Sequence, residues 1–353
     1  MLKPLPAMDD ARLLPPVEMA HHRYFEHAAE HPFDADAAEP GLRNAWWLAE
    51  CALAAYADVR LAAPIFEAGA LEVVGEGPVI GGGLGGQCYV VAGGGAVIVA
   101  FRGTQVVKTA HARSGNLREM VGRVLRDVVT DAQVRLVKWQ GRAGGMVHQG
   151  FARSFLEMEP ELSERVAMAR KRHPNARLWI TGHSLGGALA TLAADRLDEV
   201  RGIHVFGSPR VGDAEFAGGV RFPGWRFRHH ADAVPWVPVE AMGYRHIDAG
   251  KYLDRNAALT EEPGALSMLW DAALGAPEAL RQAITALSRG EWAALTPKNL
   301  VDHAPLVYAI RVWNAYAEGI PRRQGAEGLN SMNAHGSGDD VLVKMKKPPR
   351  YKQ

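Results

Sequence analysis

Two cysteines in 353 residues, Cys51 and Cys88, are too few for a disulfide framework, and neither has metal-ligand spacing. Cys51 falls in an apolar helical stretch and reads as a small core residue. Charge of one sign is also lacking. Forty Lys and Arg face 39 Asp and Glu, for a net charge of +1, so nothing marks a nucleic-acid or strongly anionic partner. The longest charge-free run, Pro78 to Phe101, would suit a membrane span by length. Eight of its residues are glycine and Gly93-Gly94-Gly95 divides it, which predicts two strands joined by a turn. The stretch Met1 to Ala20 holds Asp9-Asp10, Pro15-Pro16 and Glu18, and no uninterrupted apolar core of a secretory signal. The expectation is a soluble chain without an integral membrane segment, cytoplasmic or exported by a route that needs no cleavable signal.

What is present is ordinary for a globular protein, 48% hydrophobic and 22% charged. The length suffices for one large domain or two small ones. The most informative segment is Gly182-His183-Ser184-Leu185-Gly186, a G-x-S-x-G pentapeptide. An apolar run, Leu178-Trp179-Ile180, precedes it, and an Ala/Leu-rich helical segment follows from Gly187 to Leu197. That is strand, sharp turn, helix. A serine at such a turn is lifted out of the sheet, and the flanking glycines let strand and helix close around it. Without these neighbours the pentapeptide would be an ordinary glycine-rich loop.

Strand-like runs occur at 87–92, 96–101, 177–181, 202–206 and 225–230. Helical patterns occupy 44–59, 151–172, 185–198 and 304–318. Their alternation predicts an α/β fold with a mainly parallel sheet covered on both faces. Ligands bind such sheets beyond the carboxyl ends of strands, where the motifs below fall. Residues 1–40 read as an irregular arm. Its His21, His22, His27 and His31 lack accompanying cysteines or ordered carboxylates, so they read as a solvated helical face rather than a metal site. Residues 115–128 form an amphipathic pattern with Leu117, Met120, Val121, Val124, Leu125 and Val128 on one face. Residues 263–297 are helical in pattern. The basic tail, 321–353, is rich in Gly, Ser, Lys and Pro and reads as loosely ordered. No internal repeat is evident.

A serine nucleophile needs a base in hydrogen-bond reach and an acid that fixes the tautomer of the base. In this strand–turn–helix setting the chain order is Ser, Asp or Glu, then His. The best acid is Asp232, in a loop after the run 225–230 that ends in Pro235. Asp195 and Asp198 lie on the helix after the serine and are expected to face solvent; Asp213 and Asp248 are further rivals. The best base is His303, just before Pro305 and a C-terminal helix. His229, His230 and His246 compete with it, while His183 reads as a supporting or packing residue. The oxyanion of an acyl-transfer intermediate needs aimed donors. The N–H of Leu185 and the N–H and hydroxyl of Thr104, at the end of the run 96–101, can supply them.

At this point the chain resembles the fungal-type, or class 3, lipases of α/β-hydrolase fold. The resemblance rests on 97–104, 147–151, 180–190 with its GHSLGGA core, 205–213, Asp232-Ala233-Val234-Pro235 and Asp302-His303 with Tyr308 following. It implies Ser184, Asp232 and His303 as a catalytic triad, Thr104 and Leu185 as oxyanion donors, and hydrolysis of acyl esters, often lipids, without a cofactor or metal. It places a lid at 105–130, whose helix 115–128 would make transient contact with a lipid interface; the alternative is a helix permanently packed on the core. The domain, 41–320, would thus carry a lid and, at 263–297, a helical cap insertion. Fungal members are typically secreted and disulfide-bonded, and the sequence is read as showing neither sign; the 71-residue gap from Asp232 to His303 is longer than expected. The leading expectation is a lipase acting on acylglycerols or similar esters. A phospholipase A1, a small-ester carboxylesterase, and an inactive lipid-binding protein of hydrolase fold are the alternatives.

Overall fold

The computed structural model of the chain describes residues 1–7, 13, 15–82, 84–104, 134–247, 250–254, 256, 258–261 and 301–320. Met1–Gly319 form one compact unit; of the second, Ile320–Gln353, only residue 320 is described. The expected lid, cap insertion and tail lie outside the described residues, as does Asp248.

Helix α1 (Leu42–Ala54) buries Trp46, Trp47, Leu48 and Leu53. It stops short of the expected residue 59. Asp58 starts a new helix, α2 (Val59–Glu67), by accepting the N–H groups of Arg60 and Leu61, which competes with continuing α1. The charge-free run then forms strands β2 (Val79–Ile80) and β3 (Gln87–Gly93), after the short β1 (Glu72–Val73). β3 turns at Gly94 and Gly95, both in the left-handed region, into antiparallel β4 (Ala96–Arg102).

A parallel core follows: β7 (Arg177–His183) on β4, β8 (Val200–Phe206) on β7, β9 (Gly224–His229) on β8 and β10 (Gly250–Leu253) on β9. β11 (Leu259–Glu261) closes the far edge antiparallel. The order across the sheet is β1-β3-β4-β7-β8-β9-β10-β11, with β2 on β3. The expected α/β architecture is what forms, with antiparallel edges. A two-stranded sheet of β5 (Leu136–Lys138) and β6 (Met146–His148) was not legible in the sequence. It leads into α3 (Gln149–Arg172), whose first N–H groups are capped by the His148 ring.

Both sheet faces are covered, which explains the near-continuous apolar strands. Along β4, Val97, Val99 and Phe101 face α3 and α4 (Leu185–Arg196) in one core; Ala96, Ile98 and Ala100 face the other. There α1 packs on α6 (Pro305–Glu318), with the Trp46 and Trp313 rings 4.8 Å apart. A short helix, α5 (Ala214–Gly219), is capped by Asp213. No described helix is long and apolar enough to cross a membrane.

The histidines of the N-terminal arm do not form a solvated helical face. Val17, Tyr24 and Phe25 are buried against α1. His22 is buried and bonded to the buried Glu50 at 2.9 Å. His27 stacks on Trp313 and His31 meets Tyr316 edge-on, while His21 is exposed. A tryptophan-rich α1–α6 surface draws aromatic side chains onto it, which sequence periodicity cannot show. Among the described residues no group of side chains could hold a metal ion.

Candidate active site

Ser184 sits between β7 and α4 with φ 59° and ψ −128°, in a region that non-glycine residues rarely occupy. Two close approaches hold it there. A Cβ at Gly182 would stand 2.2 Å from the Gly186 carbonyl oxygen, and one at Gly186 would stand 2.4 Å from that of Phe101. Strand, elbow and helix are therefore in backbone contact that only glycine permits. The Ser184 N–H donates to the Phe206 carbonyl at 2.9 Å, which ties the elbow to β8.

Asp232 follows the end of β9, and His303 precedes α6, where Pro305 opens the first turn. The two come together across the sheet top. His303 Nδ1 lies 2.9 Å from Asp232 Oδ2, and His303 Nε2 lies 2.9 Å from Ser184 Oγ. All three residues are buried. The carboxylate can only accept, so Nδ1 carries the proton and Nε2 is free to take the one from the serine hydroxyl. Asp232 is further satisfied by Tyr308, whose hydroxyl donates to Oδ2 at 2.7 Å, and by the Val234 N–H, which donates to Oδ1 at 2.9 Å. Burial and then the Asp232 charge push the Tyr308 hydroxyl well above its usual pKa, so it remains a donor.

The base is also held from behind. His183 Nε2 donates to the His303 carbonyl at 2.8 Å, which leaves Nδ1 to accept from the Tyr56 hydroxyl at 2.8 Å. Burial, and then the His303 charge 4.7 Å away between ring centroids, pushes the His183 pKa well below the ordinary value. His183 therefore stays neutral beside a base that must itself become cationic. Gly207, directly after β8, has φ +57°. A Cβ there would lie 2.9 Å from Asp232 Oδ2 and 3.1 Å from His303 Nδ1. Tyr56 and Gly207 were not singled out by the sequence. The signal for Gly207 is a lone glycine after a strand run; for Tyr56, at a helix end, there is none.

The β4 exit loop meets the elbow. A Cβ at Gly103, the residue before Thr104, would stand 2.9 Å from the Ser184 Cβ. The Thr104 Oγ1 is buried with no hydrogen-bond partner among the described residues. Leu185 opens α4, where backbone N–H groups lack intrahelical acceptors. The rivals are placed elsewhere. Asp195 does not face solvent as expected: it is buried, accepting from Trp139 Nε1 at 2.6 Å and the Ala143 N–H at 2.8 Å. A buried carboxylate persists there because two donors satisfy it. Asp198 is exposed and pairs with Arg142, and Asp213 caps α5. His246 Nε2 donates to the Pro235 carbonyl, and His229 and His230 both engage Asp302.

A mainly parallel sheet with a Ser–His–Asp chain at the strand ends defines an α/β-hydrolase. Residues 98–242 match the family model described as Lipase (class 3). A secreted mono- and diacylglycerol lipase 1 of Fusarium solani is 37% identical over 118 residues, 32% of this chain and 35% of that protein. A lipase of Rhizomucor miehei is 33% identical over 147 residues, 38% of this chain and 40% of that protein. The matches thus span well under half of these relatives' own length. The solved structure of lipase II from Rhizopus niveus is 24% identical, covering 52% of this chain and 66% of that one, with a TM-score of 0.42.

Proposed function

We propose that the chain is a carboxylic ester hydrolase acting on acylglycerols or similar lipid esters. The observation that carries the reading is the unbroken hydrogen-bonded line Asp232–His303–Ser184, ending on a serine held in a strained elbow. In this mechanism Ser184 Oγ attacks the ester carbonyl carbon and its proton passes to His303 Nε2. The carbonyl oxygen becomes an oxyanion, for which the N–H of Leu185 and the N–H and hydroxyl of Thr104 are the candidate donors. As the tetrahedral intermediate collapses, the bond to the alcohol oxygen breaks and His303 returns the proton to that oxygen. A water then gives a proton to His303 and attacks the acyl carbon; as the bond from that carbon to Ser184 Oγ breaks, His303 returns the proton to Oγ and the carboxylic acid is released. Asp232 holds the tautomer and stabilises the imidazolium in both halves.

The names of the relatives support acylglycerols as the substrate class, since one is called a mono- and diacylglycerol lipase. In the same proposal residues 115–128 act as a lid that turns its apolar face to lipid, and 263–297 as a cap over the acyl site. Hydrolysis of emulsified diacylglycerol, phospholipid and a soluble short-chain ester tests the reading. Diacylglycerol should be cleaved fastest and only above its solubility limit. A rate highest on phospholipid would replace the lipase with a phospholipase A1. A rate that ignores the interface would remove the lid role.

A further inference from the structure

Asp302, the residue before the proposed base, reaches back to the three residues that precede the proposed acid. Its Oδ2 accepts from His230 Nδ1 at 3.0 Å and from the Ala231 N–H at 3.1 Å. Its carbonyl accepts from His229 Nδ1 at 3.1 Å, and that ring also lies 3.6 Å from Oδ1. One step further along both segments comes the His303–Asp232 bond itself. Four consecutive residues, 229 to 232, are thus stitched to two, 302 and 303. Asp302, His229 and His230 are all buried, so these bonds are shielded from water.

The backbone shows what the stitching holds. His230 has φ +29°, a left-handed conformation costly for a non-glycine residue, only two positions before Asp232. Such a conformation persists where the surroundings over-determine it, and the Asp302 carboxylate bonds both the His230 ring and the next N–H. Asp232 and His303 are far apart in sequence, and an anchor directly before His303 sets their mutual geometry at short range.

We propose that Asp302 is a positioning residue: by clasping 229–231 it fixes the separation and angle at which His303 faces Asp232. The proposal rests on the triad reading above. It asks for geometry more than charge, although Arg311 on α6 and the His229 and His230 rings face the carboxylate. Burial works to raise the Asp302 pKa, but the hydrogen bonds from the His230 ring and the Ala231 N–H are among the contacts that lower it overall.

The test compares Asp302→Ala and Asp302→Asn with wild type on a soluble short-chain ester, with kcat and KM measured separately and the folded fraction taken from thermal melts. Asp302→Ala should lower kcat per folded molecule at least tenfold and leave KM within about twofold. Asp302→Asn keeps an acceptor for the Ala231 N–H and should recover most of kcat. If Asp302→Ala does not fold, His230→Ala, which deletes the other half of the clasp, should show the same loss in kcat alone. Unchanged kcat per folded molecule, or an Asn variant no better than Ala, overturns the proposal. A wild type that hydrolyses no ester overturns the triad reading instead, so the two failures are distinct.

Discussion

Ser184 and Gly207 both hold positive-φ backbone at the site, one as a serine and one as a glycine whose added Cβ would crowd the acid and the base. Ser184 stores about 1–3 kcal/mol of backbone strain, and the same region costs glycine little. Ser184→Gly and Ser184→Ala should therefore both be inactive, yet differ in stability. Urea unfolding should place the glycine variant above the alanine variant by about 1–3 kcal/mol; equal midpoints would remove the strain argument. At Gly207 the sign reverses. Gly207→Ala adds a methyl between Asp232 and His303 and forces alanine into φ +57°. It should lower stability by about 1–3 kcal/mol and depress kcat more than KM, measured on a soluble ester. A variant with wild-type kcat would show that the acid–base pair has room to spare.

The strand–elbow–helix unit of β7, Ser184 and α4 was legible because each part has a local cause: an apolar run, glycines on either side, then helix formers. β3 and β4 were legible for the same reason. α2 and the β5–β6 pair were not, since an Asp cap and a three-residue strand leave little trace in periodicity. Asp195 was misjudged because its donors, Trp139 and Ala143, lie more than 50 residues away, beyond any local pattern. Tyr56 reaches the site only through packing, and the contacts of Asp302 with 229–231, unlike its place beside His303, also depend on packing; His303 itself is legible from chain order and a proline two residues on. The N-terminal arm repeats the lesson. Trp313 Nε1 donates to the Met1 carbonyl, and Asn314 exchanges two hydrogen bonds with Lys3. These bonds pin the start of the chain to α6, the helix that follows the proposed base. Removing residues 1–3 should cost roughly 2–4 kcal/mol, about 1 kcal/mol per bond plus lost packing, read as a lower melting temperature. An unchanged melting temperature would mean that the segment merely rests on the surface.

Among the described residues, burial is the leading cause of a lowered pKa at five histidines, His27, His183, His204, His229 and His246, and three of them show it most plainly. His183, His204 and His229 are almost wholly buried, and burial lowers the pKa of each, that of His204 to about 3. Their folded values lie below the unfolded value of about 6.5, so the unfolded chain binds protons that the folded one refuses. Their contribution is fully present above pH ~6.5 and is lost as pH falls toward the folded values, at up to about 1.4 kcal/mol per pH unit for each group. Stability at pH 5 should be several kcal/mol below that at pH 7.5, with roughly two to three protons taken up on unfolding. A flat profile over that interval would contradict the burial of these rings as neutral groups. The acyl-transfer reading stands or falls on one reaction. A fluorophosphonate should label folded wild type at one equivalent, shift the mass of the peptide that holds Ser184, and leave Ser184→Ala unlabelled; a folded wild type that takes up no label, or a Ser184→Ala variant that takes it up equally, would contradict it.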